Sequence, residues 1–273
     1  MFFIFRSTFR QHFTQLAEIR SIFNDVPLMA LTGTITTADK KLVVSSLCMT
    51  EAVSIHHNAD RPNIFLAVLR LPSKKEAWYR YLDDDIEVLK TCGIQSERKI
   101  FFCRNIEHTC KLYDYYESVL GEEHGYYPPG AAIDPTNRVF AMYHSNSAPS
   151  VKKAVLESLA NPNGKVRRVF ATQSLSMGIN CQNFRYVYHW GAPRSLEQYF
   201  QEVGRGGRDG IASQAILLFC DSQLKPELCT QSTIDYCLNI SNTCLRAKLM
   251  DYFDCEINYH GPSDNCCSVC VSH

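Results

Sequence analysis

The string Gln201-Glu-Val-Gly-Arg-Gly-Gly-Arg-Asp-Gly210 holds the residues of this chain that are best suited to chemistry. Arg205 and Arg208 stand three positions apart on a glycine-rich turn, after a segment with helical spacing, Leu196 to Val203. Guanidinium groups at this spacing can point toward a common anion, and the glycines allow close approach of the backbone. The string therefore predicts a site for a phosphate group in its transition state. A solvated turn with incidental arginines is the alternative, and ten residues in this order are too specific for it.

Cysteine is the outlier in the composition, with 13 residues, of which seven lie in the final 45 positions. Cys267-x-x-Cys270 has the two-residue spacing that lets both thiolates face one zinc ion. The odd count argues for reduced thiols inside the cell, and for a metal rather than a disulfide framework. Spare thiols packed in a core are the alternative. The crowded cysteines are Cys229, Cys237, Cys244, Cys255, Cys266, Cys267 and Cys270.

The overall composition bounds the class of protein. The chain has 273 residues, of which 45% are apolar and 21% charged, so it can bury a sizeable core and is not disordered. Its 28 basic and 28 acidic residues give a net charge of zero, so any nucleic-acid surface must be a local patch. The longest apolar runs fall far short of the roughly 18 residues of a membrane span. The first residues lack the basic leader of a secretory signal. We expect an intracellular protein, in the nucleus, with no membrane partner.

Short β-rich runs alternate with helical patterns, which predicts an α/β fold with a parallel sheet and helices on both faces. Ile106 to Leu120 and Val151 to Leu159 have helical spacing, and Pro149 suits the start of the second helix. Glu122 to Asn137 has the composition of a long surface loop. The predicted strands are Pro27 to Leu31, Ile64 to Leu69, Lys99 to Cys103, Val139 to Tyr143, Val166 to Ala171, Tyr186 to Trp190 and Ala215 to Cys220.

We predict three parts: residues 1–62, a main domain at 63–222, and a cysteine-rich annex at 223–273. The strand at Pro27 to Leu31 has the apolar pattern of one buried on both faces. About 60 residues cannot supply a sheet and two helical layers. We therefore expect the rest of that first domain to be absent from this chain.

The Gln201 to Gly210 string closely resembles the final motif of superfamily 2 helicases, in the form that the RecQ family has. Further segments resemble other motifs of this family in the right order, and the order makes weak single matches strong. The resemblance implies that 1–62 is the end of a first RecA-like domain, that 63–222 is a complete second one with a P-loop NTPase-like fold, and that 223–273 is a helical zinc-binding subdomain. The segments are Ala30 to Thr34, Asp60 to Asn63, Lys99 to Arg104, Tyr143 to Ser145 and Ala171 to Asn180.

The resemblance implies a role for each matching residue in ATP hydrolysis. Arg208 would be an arginine finger that reaches the γ-phosphate, and such fingers raise rates by about 10³ to 10⁵ in other NTPases. Arg205 would contact a neighbouring phosphate, and Gln201 would position the nucleotide or its water. Ser176 departs from the glycine that the family often has in its fifth motif, as Gly33 departs from the usual alanine in the third. The residues expected near the nucleotide are Gly178, Asn180 and Gly204.

A second group would contact DNA, single-stranded or branched. Ordinary capping of strand ends is the alternative for Thr172 and for Asn180. A cluster of basic residues could also face a DNA backbone, and a solvated helix face explains it equally well. The implied contacts are Thr172, Arg104, His144 and Thr32, and the basic residues are Lys152, Lys153, Lys165, Arg167 and Arg168.

The annex resembles the RecQ zinc subdomain in two places, the helix that starts at Cys244 and the terminal Cys266-Cys-Ser-Val-Cys270. This implies one structural Zn²⁺. Cys267 and Cys270 are the firmest ligands and Cys244 is the third. The fourth is Cys266, or else Cys255 in reserve, and His260 is a weaker candidate. A domain this small needs ligand bonds, so we expect metal removal to melt the annex while the α/β domain survives.

Neither Gly-x-x-x-x-Gly-Lys-[Ser/Thr] nor Asp-Glu-x-His occurs in the 273 residues. In this family both precede the third motif, so we expect a truncated chain that holds half of an ATP cleft. ATP and Mg²⁺ would bind only together with the missing domain. The resemblance implies that the whole enzyme is an ATP-dependent 3′-to-5′ DNA helicase. The alternative is a catalytically inactive module that binds DNA or docks a partner.

Overall fold

The computed structural model describes residues 18, 22–23, 25–33, 35–49, 51–74, 76–176 and 184–271. Its centre is one sheet of six parallel strands in the order β1-β6-β5-β2-β4-β3. The predicted parallel sheet is confirmed, and six of the seven predicted strands lie in it. The strands are β1 Ile64–Arg70, β2 Arg98–Cys103, β3 Phe140–Tyr143, β4 Arg168–Ala171, β5 Phe184–Trp190 and β6 Ser213–Phe219.

Eight α-helices of the described ranges surround or extend this sheet. Several begin as their sequences predict, because a polar side chain or a proline satisfies the first turn. Asn105 accepts a hydrogen bond from the His108 amide at 2.9 Å, and Pro149 occupies the first turn of its helix. The helices are α1 Thr37–Ser46, α2 Glu76–Cys92, α3 Ile106–Gly125, α4 Pro149–Ala160, α5 Leu196–Val203, α6 Gln231–Leu238, α7 Leu245–Tyr252 and α8 Ser268–Val271.

Helices cover both faces of the sheet, as predicted. On one face α2 and α3 pack on side chains such as Phe101 and Phe170. On the other face α4 packs on Ile100 and Val169, while α5 packs on β1 and β6. All four residues of β4 are buried, as expected for a strand covered on both sides.

The sequence analysis missed helix α2, although its apolar residues follow helical spacing. Trp78, Leu82, Ile86 and Leu89 recur at intervals of four, four and three, and all are buried against the sheet. The exposed faces of this helix are strongly charged, and those charges hid the buried stripe. Periodicity alone was the available signal.

Two predictions about local structure are wrong. Pro27 to Leu31 forms no buried strand: all five residues are exposed. No described strand neighbours it, so its apolar side chains have no sheet on which to pack. The predicted loop at Glu122 to Asn137 starts later than expected, because α3 continues past a kink at Gly121, where φ is +57°, and ends at Gly125.

The described part of the annex packs into the core of the main domain rather than forming a separate one. Leu249 and Phe253, in and after α7, belong to the same buried cluster as Ile64 of β1 and Leu217 of β6. Backbone contacts extend this attachment, since the Leu66 amide donates to the Cys266 carbonyl at 3.3 Å. The annex thus covers the outer edge of β1, which would otherwise be open to pairing.

Within the described ranges no helix is both long enough and apolar enough to cross a bilayer.

Candidate functional site

The loop that carries the two candidate arginines lies between α5 and β6, at the amino ends of the strands. It is tied to the neighbouring strand, because the Gly207 amide donates to the Phe184 carbonyl at 3.0 Å. Arg205 is half-buried, whereas Arg208 is exposed, with its Nε 3.3 Å from the Gly204 carbonyl oxygen. The loop therefore presents one guanidinium group outward from a fixed base.

The fixed base is built by the segment that leads into β1. The Arg61 guanidinium donates to the Gly207 carbonyl oxygen at 2.6 Å, and the Asn63 amide donates to the same oxygen at 2.8 Å. Gly207 has a φ of +51°, and a Cβ there would overlap the side chains of Asn63 and Ser213. Only glycine fits this position without strain or displacement.

An ion pair holds the outer part of the same loop. Arg185 of β5 grips both carboxylate oxygens of Asp209, with one N–O distance of 2.9 Å. The hydrogen bond from Arg185 lowers the pKa of Asp209 to about 2. Because Asp209 directly follows Arg208, this fork restrains the backbone next to the exposed guanidinium group.

Helix α5, which carries Gln201, is anchored in the core by a buried polar pair. The His189 Nε2 lies 2.9 Å from a carboxylate oxygen of Glu202, and both side chains are almost fully buried. Ser195 caps the helix, accepting a hydrogen bond from the Gln198 amide. The helix Leu196–Val203 has the predicted bounds. Gln201 is half-buried on it, and Gly204 ends it.

Three of the expected nucleic-acid contacts gather at the opposite edge of the sheet. Arg104, His144 and Thr172 directly follow β2, β3 and β4, which are neighbours in the sheet. The carboxyl ends of adjacent parallel strands meet at one edge, and ligands commonly bind there. The arginine loop lies at the amino ends, so the two groups occupy opposite edges.

These three side chains differ in how much they could offer a phosphate. Thr172 is half-buried, with its hydroxyl 3.0 Å from that of Ser174. Arg104 donates a short hydrogen bond to the Leu228 carbonyl of the annex. His144 is buried, and burial, reinforced by the charge of Lys152, lowers its pKa. Its ring is therefore uncharged at neutral pH and offers no ionic contact.

The structure does not place Thr32, Gly178 or Asn180 at this edge of the sheet. Thr32 is exposed in the stretch before α1. Gly178 and Asn180 lie outside the described residues.

Two of the basic residues that we expected at a DNA backbone or on a solvated face are buried instead. Arg168 is fully buried, and its Nε donates to Asp85 at 2.6 Å. Lys99 contacts the same carboxylate at 2.7 Å. Arg167 is also buried, among backbone carbonyls. Both readings are wrong for Arg167 and Arg168, because each has a partner from a distant part of the sequence: the Ile94 carbonyl for Arg167 and Asp85 for Arg168.

Four cysteine thiols of the annex converge on one point. The Cys267 sulfur lies 3.4 Å from that of Cys270 and 3.8 Å from that of Cys244, which is 3.7 Å from Cys266. All four sulfurs lie within 4.8 Å of one another. Tetrahedral zinc with Zn–S bonds of about 2.3 Å sets its sulfurs about 3.8 Å apart. The quartet can therefore hold a metal ion, and its donor set is the one that structural zinc prefers.

The surroundings of one member of the quartet, Cys267, favour its thiolate. Burial acts to raise the pKa of Cys267, but hydrogen bonds from backbone amides, including that of Leu245 at 3.4 Å, outweigh it and lower the pKa. Cys255 is not a member of the described cluster, and its sulfur lies 3.8 Å from His56 Nε2. Among the described residues the cluster comprises four cysteines, so His260 is not in it either. The geometry favours Cys266 over Cys255 as the fourth ligand.

Arg246 links the cysteine quartet to the segment that holds the arginine loop. Its guanidinium forms a buried ion pair with Asp60 and donates to the Arg61 carbonyl at 3.0 Å. It also lies against the Cys266 thiol: burial raises the pKa of Cys266, and the hydrogen bond from Arg246 opposes that rise. The sequence analysis missed this residue. The available signal was an arginine within a helix that begins at a predicted ligand.

Comparisons with known proteins agree with this geometry. Residues 85–210 match the family described as "Helicase conserved C-terminal domain". The chain is 27% identical over 278 residues to ATP-dependent DNA helicase RecQ of Haemophilus influenzae, a match that covers 96% of this chain and 40% of that protein. It is 28% identical over 277 residues to a protein of Acanthamoeba polyphaga mimivirus named "Putative ATP-dependent RNA helicase", covering 96% and 46%. The chain thus spans less than half the length of these relatives.

The fold has a matching solved structure. Yeast Dbp5 bound to RNA and ADP BeF3 superposes with a TM-score of 0.59 at 16% identity, and the match covers 92% of this chain and 55% of that one. At this identity the likeness concerns the fold alone. Together, the family match, the RecQ relatives and the parallel sheet show that the chain is similar to the C-terminal part of a RecQ-like helicase core.

Proposed function

We propose that this chain supplies the second RecA-like half of an ATP-dependent 3′-to-5′ DNA helicase. One observation carries the proposal: Arg208 is exposed on a loop whose backbone is held by Arg61, Asn63 and the Arg185–Asp209 pair. A guanidinium group that is held in advance stabilises transition-state charge without reorganisation during the reaction. Arg208 would meet the γ-phosphate as an arginine finger.

The other nucleotide contacts follow from the same loop and helix. Arg205 would bind a second phosphate oxygen, and Gln201 would orient the nucleotide or the attacking water. Gly204 would let the backbone approach, with Gly178 and Asn180 near the sugar. The 273 residues contain no phosphate-binding loop, so we expect hydrolysis only when an ATP-binding half, with Mg²⁺, is supplied.

The carboxyl edge of the sheet would track the DNA backbone. Thr172 can donate its hydroxyl to a phosphate oxygen, and Arg104 would contribute charge, with Thr32 on the first segment. His144 would act by shape or by a neutral hydrogen bond, because its buried ring is uncharged at neutral pH. The RecQ relatives support DNA as the substrate, and RNA is the outcome that the test below must exclude.

We further propose that the metal is a structural zinc ion held by Cys244, Cys266, Cys267 and Cys270. Four thiolates leave no open position on a tetrahedral ion, so the metal would contribute stability rather than chemistry. The quartet joins the start of α7 to the segment beside β1, and a bound ion would fasten the annex to the edge of the sheet.

A chimaera tests the proposed function. Residues 60–271 would replace the corresponding part of the H. influenzae RecQ relative, and ATP hydrolysis would be measured with and without single-stranded DNA. We expect Arg208→Ala to lower the DNA-stimulated rate by about 10³ while DNA binding is retained. Arg80→Ala is the matched control, because Arg80 is an exposed arginine on α2.

Two outcomes would contradict the proposal. Equal rates of ATP hydrolysis by the Arg208→Ala and Arg80→Ala chimaeras would exclude Arg208 as an arginine finger. Preferential unwinding of a 5′-tailed DNA duplex over a 3′-tailed one would contradict the proposed polarity. Preferential unwinding of an RNA duplex over a 3′-tailed DNA duplex would contradict DNA as the substrate.

A further inference from the structure

A cleft of about 380 Å³ opens at the amino ends of β2, β4 and β5. Its volume is in the range of small-molecule sites. Three of its lining residues are arginines, and two more are amides. The lining includes Gln95, Arg98, Asn163, Arg167 and Arg185. Neither the family match nor the proposed helicase roles give this cleft a function.

Arg167 is the key residue of the cleft. It is only 8% exposed, and its Nη1 and Nε donate to the carbonyl oxygens of Gly164 and Ile94. Within the described ranges no carboxylate lies within ion-pair distance of Arg167. The nearby ion pairs are formed by Lys99, Arg168 and Arg185 instead. Carbonyl groups satisfy hydrogen bonds, but they contribute partial charges only. The full positive charge of Arg167 therefore has no opposite charge beside it, which is costly at a buried site.

Two neighbouring arginines increase that cost. Arg98 is also buried, and its Nη2 donates to the same Gly164 oxygen at 3.3 Å, so two guanidinium groups meet at one carbonyl. Burial first, and then the charges of Arg98 and Arg168, lower the pKa of Arg167 to about 10. The group still carries its proton at neutral pH, and the cleft therefore holds a strong positive potential.

The local charge balance points the same way. Five basic residues stand at the starts of the three strands. The buried Asp85 pairs with Lys99 and Arg168, and the exposed Asp209 pairs with Arg185. Glu97 lines the cleft as well, but it is exposed and screened by solvent. Positive charge is in excess, and most of the excess lies at the inner wall. The five basic residues are Arg98, Lys99, Arg167, Arg168 and Arg185.

We propose that this cleft binds a small free oxyanion of the phosphate class, with Arg167 at its inner wall and Arg185 at its mouth. Guanidinium groups suit phosphate because their planar forks match its oxygens. The lining has no aromatic ring on which a nucleobase could stack, and its apolar contribution comes from Ile94 and Pro162. The site therefore fits orthophosphate, pyrophosphate or a small phosphate ester better than a nucleotide. This proposal does not depend on the proposed helicase function.

Binding would also reach the arginine loop. Arg185 lines the cleft and at the same time holds Asp209, the residue after Arg208. An oxyanion at the mouth competes with the Asp209 carboxylate for the same fork. Occupancy of the cleft would thus loosen the backbone next to the exposed Arg208.

The test uses the whole 273-residue chain with pyrophosphate as the probe. Titration calorimetry would be run at constant ionic strength, so each addition of pyrophosphate salt is balanced by a reduction in sodium chloride. We expect saturable binding by the wild type and at least a tenfold loss of affinity in Arg167→Gln, since a hydrogen bond to a charged group contributes roughly 1.5–3 kcal/mol and 1.4 kcal/mol is tenfold. Arg80→Gln, on the exposed face of α2, is the matched control and should bind as the wild type does.

A second pair of variants keeps the test decisive if Arg167→Gln fails to fold. Asn163 is exposed on the turn at the cleft, so a charge there changes the potential without disturbing the core. Asn163→Asp should weaken pyrophosphate binding and Asn163→Lys should strengthen it. The proposal is overturned if both variants bind equally, or if chloride at equal ionic strength abolishes the signal. Complete displacement of pyrophosphate by a short oligothymidylate would assign the cleft to a nucleic-acid backbone instead, and would also overturn it.

Discussion

Asp60 and Arg246 form an ion pair with an O–N distance of 2.5 Å, and their side chains are only 1% and 2% exposed. Asp60 precedes β1, and Arg246 lies in α7 of the annex, so the pair connects two parts of the chain 186 positions apart. The second oxygen of Asp60 accepts the Asn258 amide at 2.8 Å. The adjacent Arg61 holds the arginine loop. One short segment therefore contacts both Arg246, which lies against Cys266 of the quartet, and the backbone of the loop that carries Arg208.

Removal of one partner of this pair should be far more costly than removal of an exposed pair. Asp60→Asn would leave the Arg246 charge buried without its counterion, and such changes cost about 3–5 kcal/mol. The exposed pair of Arg70 and Asp221 is the control, and Asp221→Asn should cost about 0–1 kcal/mol. Urea unfolding followed by circular dichroism would measure both. Similar midpoints for the two variants would show that the buried pair does not hold the annex.

The arginine loop makes a second prediction, which concerns backbone conformation. Gly207→Ala should destabilise the protein. The positive φ alone should cost about 1–3 kcal/mol. The new Cβ would also displace the Asn63 side chain and add to that cost. Gly204→Ala is the matched control, since Gly204 has an ordinary helical φ of −61° and space for a Cβ. Thermal unfolding should separate the two variants clearly. A Gly207→Ala protein that melts with the Gly204→Ala control would refute the tight fit.

The sequence predicts those parts of the molecule that depend on local signals. Helix α5 has the predicted bounds because Ser195 caps its start and glycine follows its end. Strand positions follow from β-rich runs between turn residues, and the order of the helicase motifs gives the fold. The helix at Glu76–Cys92 could also have been predicted, since its apolar spacing is regular.

Other parts depend on contacts that no local pattern shows. Arg168 has the sequence context of a surface base, and its counterion, Asp85, lies 83 positions away. The sequence puts Cys266 first and Cys255 in reserve as the fourth ligand, and it leaves the choice open because the path of the chain between α7 and the terminal cysteines decides which thiol joins the quartet. Asp60 and Arg246 could be paired only once both ends of the chain were placed beside β1.

The metal quartet gives the third prediction. Purified protein should contain close to one zinc per chain by elemental analysis, and Cys267→Ser and Cys270→Ser should each lower this content strongly. Cys255→Ser should retain the metal, because that sulfur lies beside His56 rather than in the cluster. Retention of zinc in both knuckle variants would exclude the site. Loss of zinc in Cys255→Ser but not in Cys266→Ser would identify Cys255 instead of Cys266 as the fourth ligand.

Removal of the metal should also affect more than the annex. Leu249 and Phe253 share one buried cluster with β1 and β6, so a chelator that releases α7 would expose part of the main core. We expect the treated protein to unfold at lower urea concentration as a whole. This refines the expectation from sequence that the annex would melt alone.

The last prediction concerns pH and the buried network around Asp85. This carboxylate pairs with Arg168 and Lys99 and accepts the Tyr116 hydroxyl at 2.7 Å. Burial acts to raise its pKa, but the charges of Arg168 and then Lys99 outweigh burial and lower the pKa below its usual 3.8. A group whose folded pKa is lowered stabilises the fold above its unfolded pKa, and that stabilisation is lost as the pH falls through the folded value.

Asp85→Asn should therefore cost about 3–5 kcal/mol at pH 7, because Arg168 would remain buried without a counterion. Asp83→Asn is a closely matched control: it lies on the same helix and also accepts a tyrosine hydroxyl, from Tyr115 at 2.6 Å, but it is exposed. Unfolding free energies measured between pH 7 and pH 2 should show the gap between wild type and Asp85→Asn shrinking below about pH 3.8, whereas Asp83→Asn stays near the wild type throughout. A gap that is constant down to pH 2 would mean that the pair does not titrate in this range, and a gap that widens as the pH falls would reverse the sign argued for Asp85.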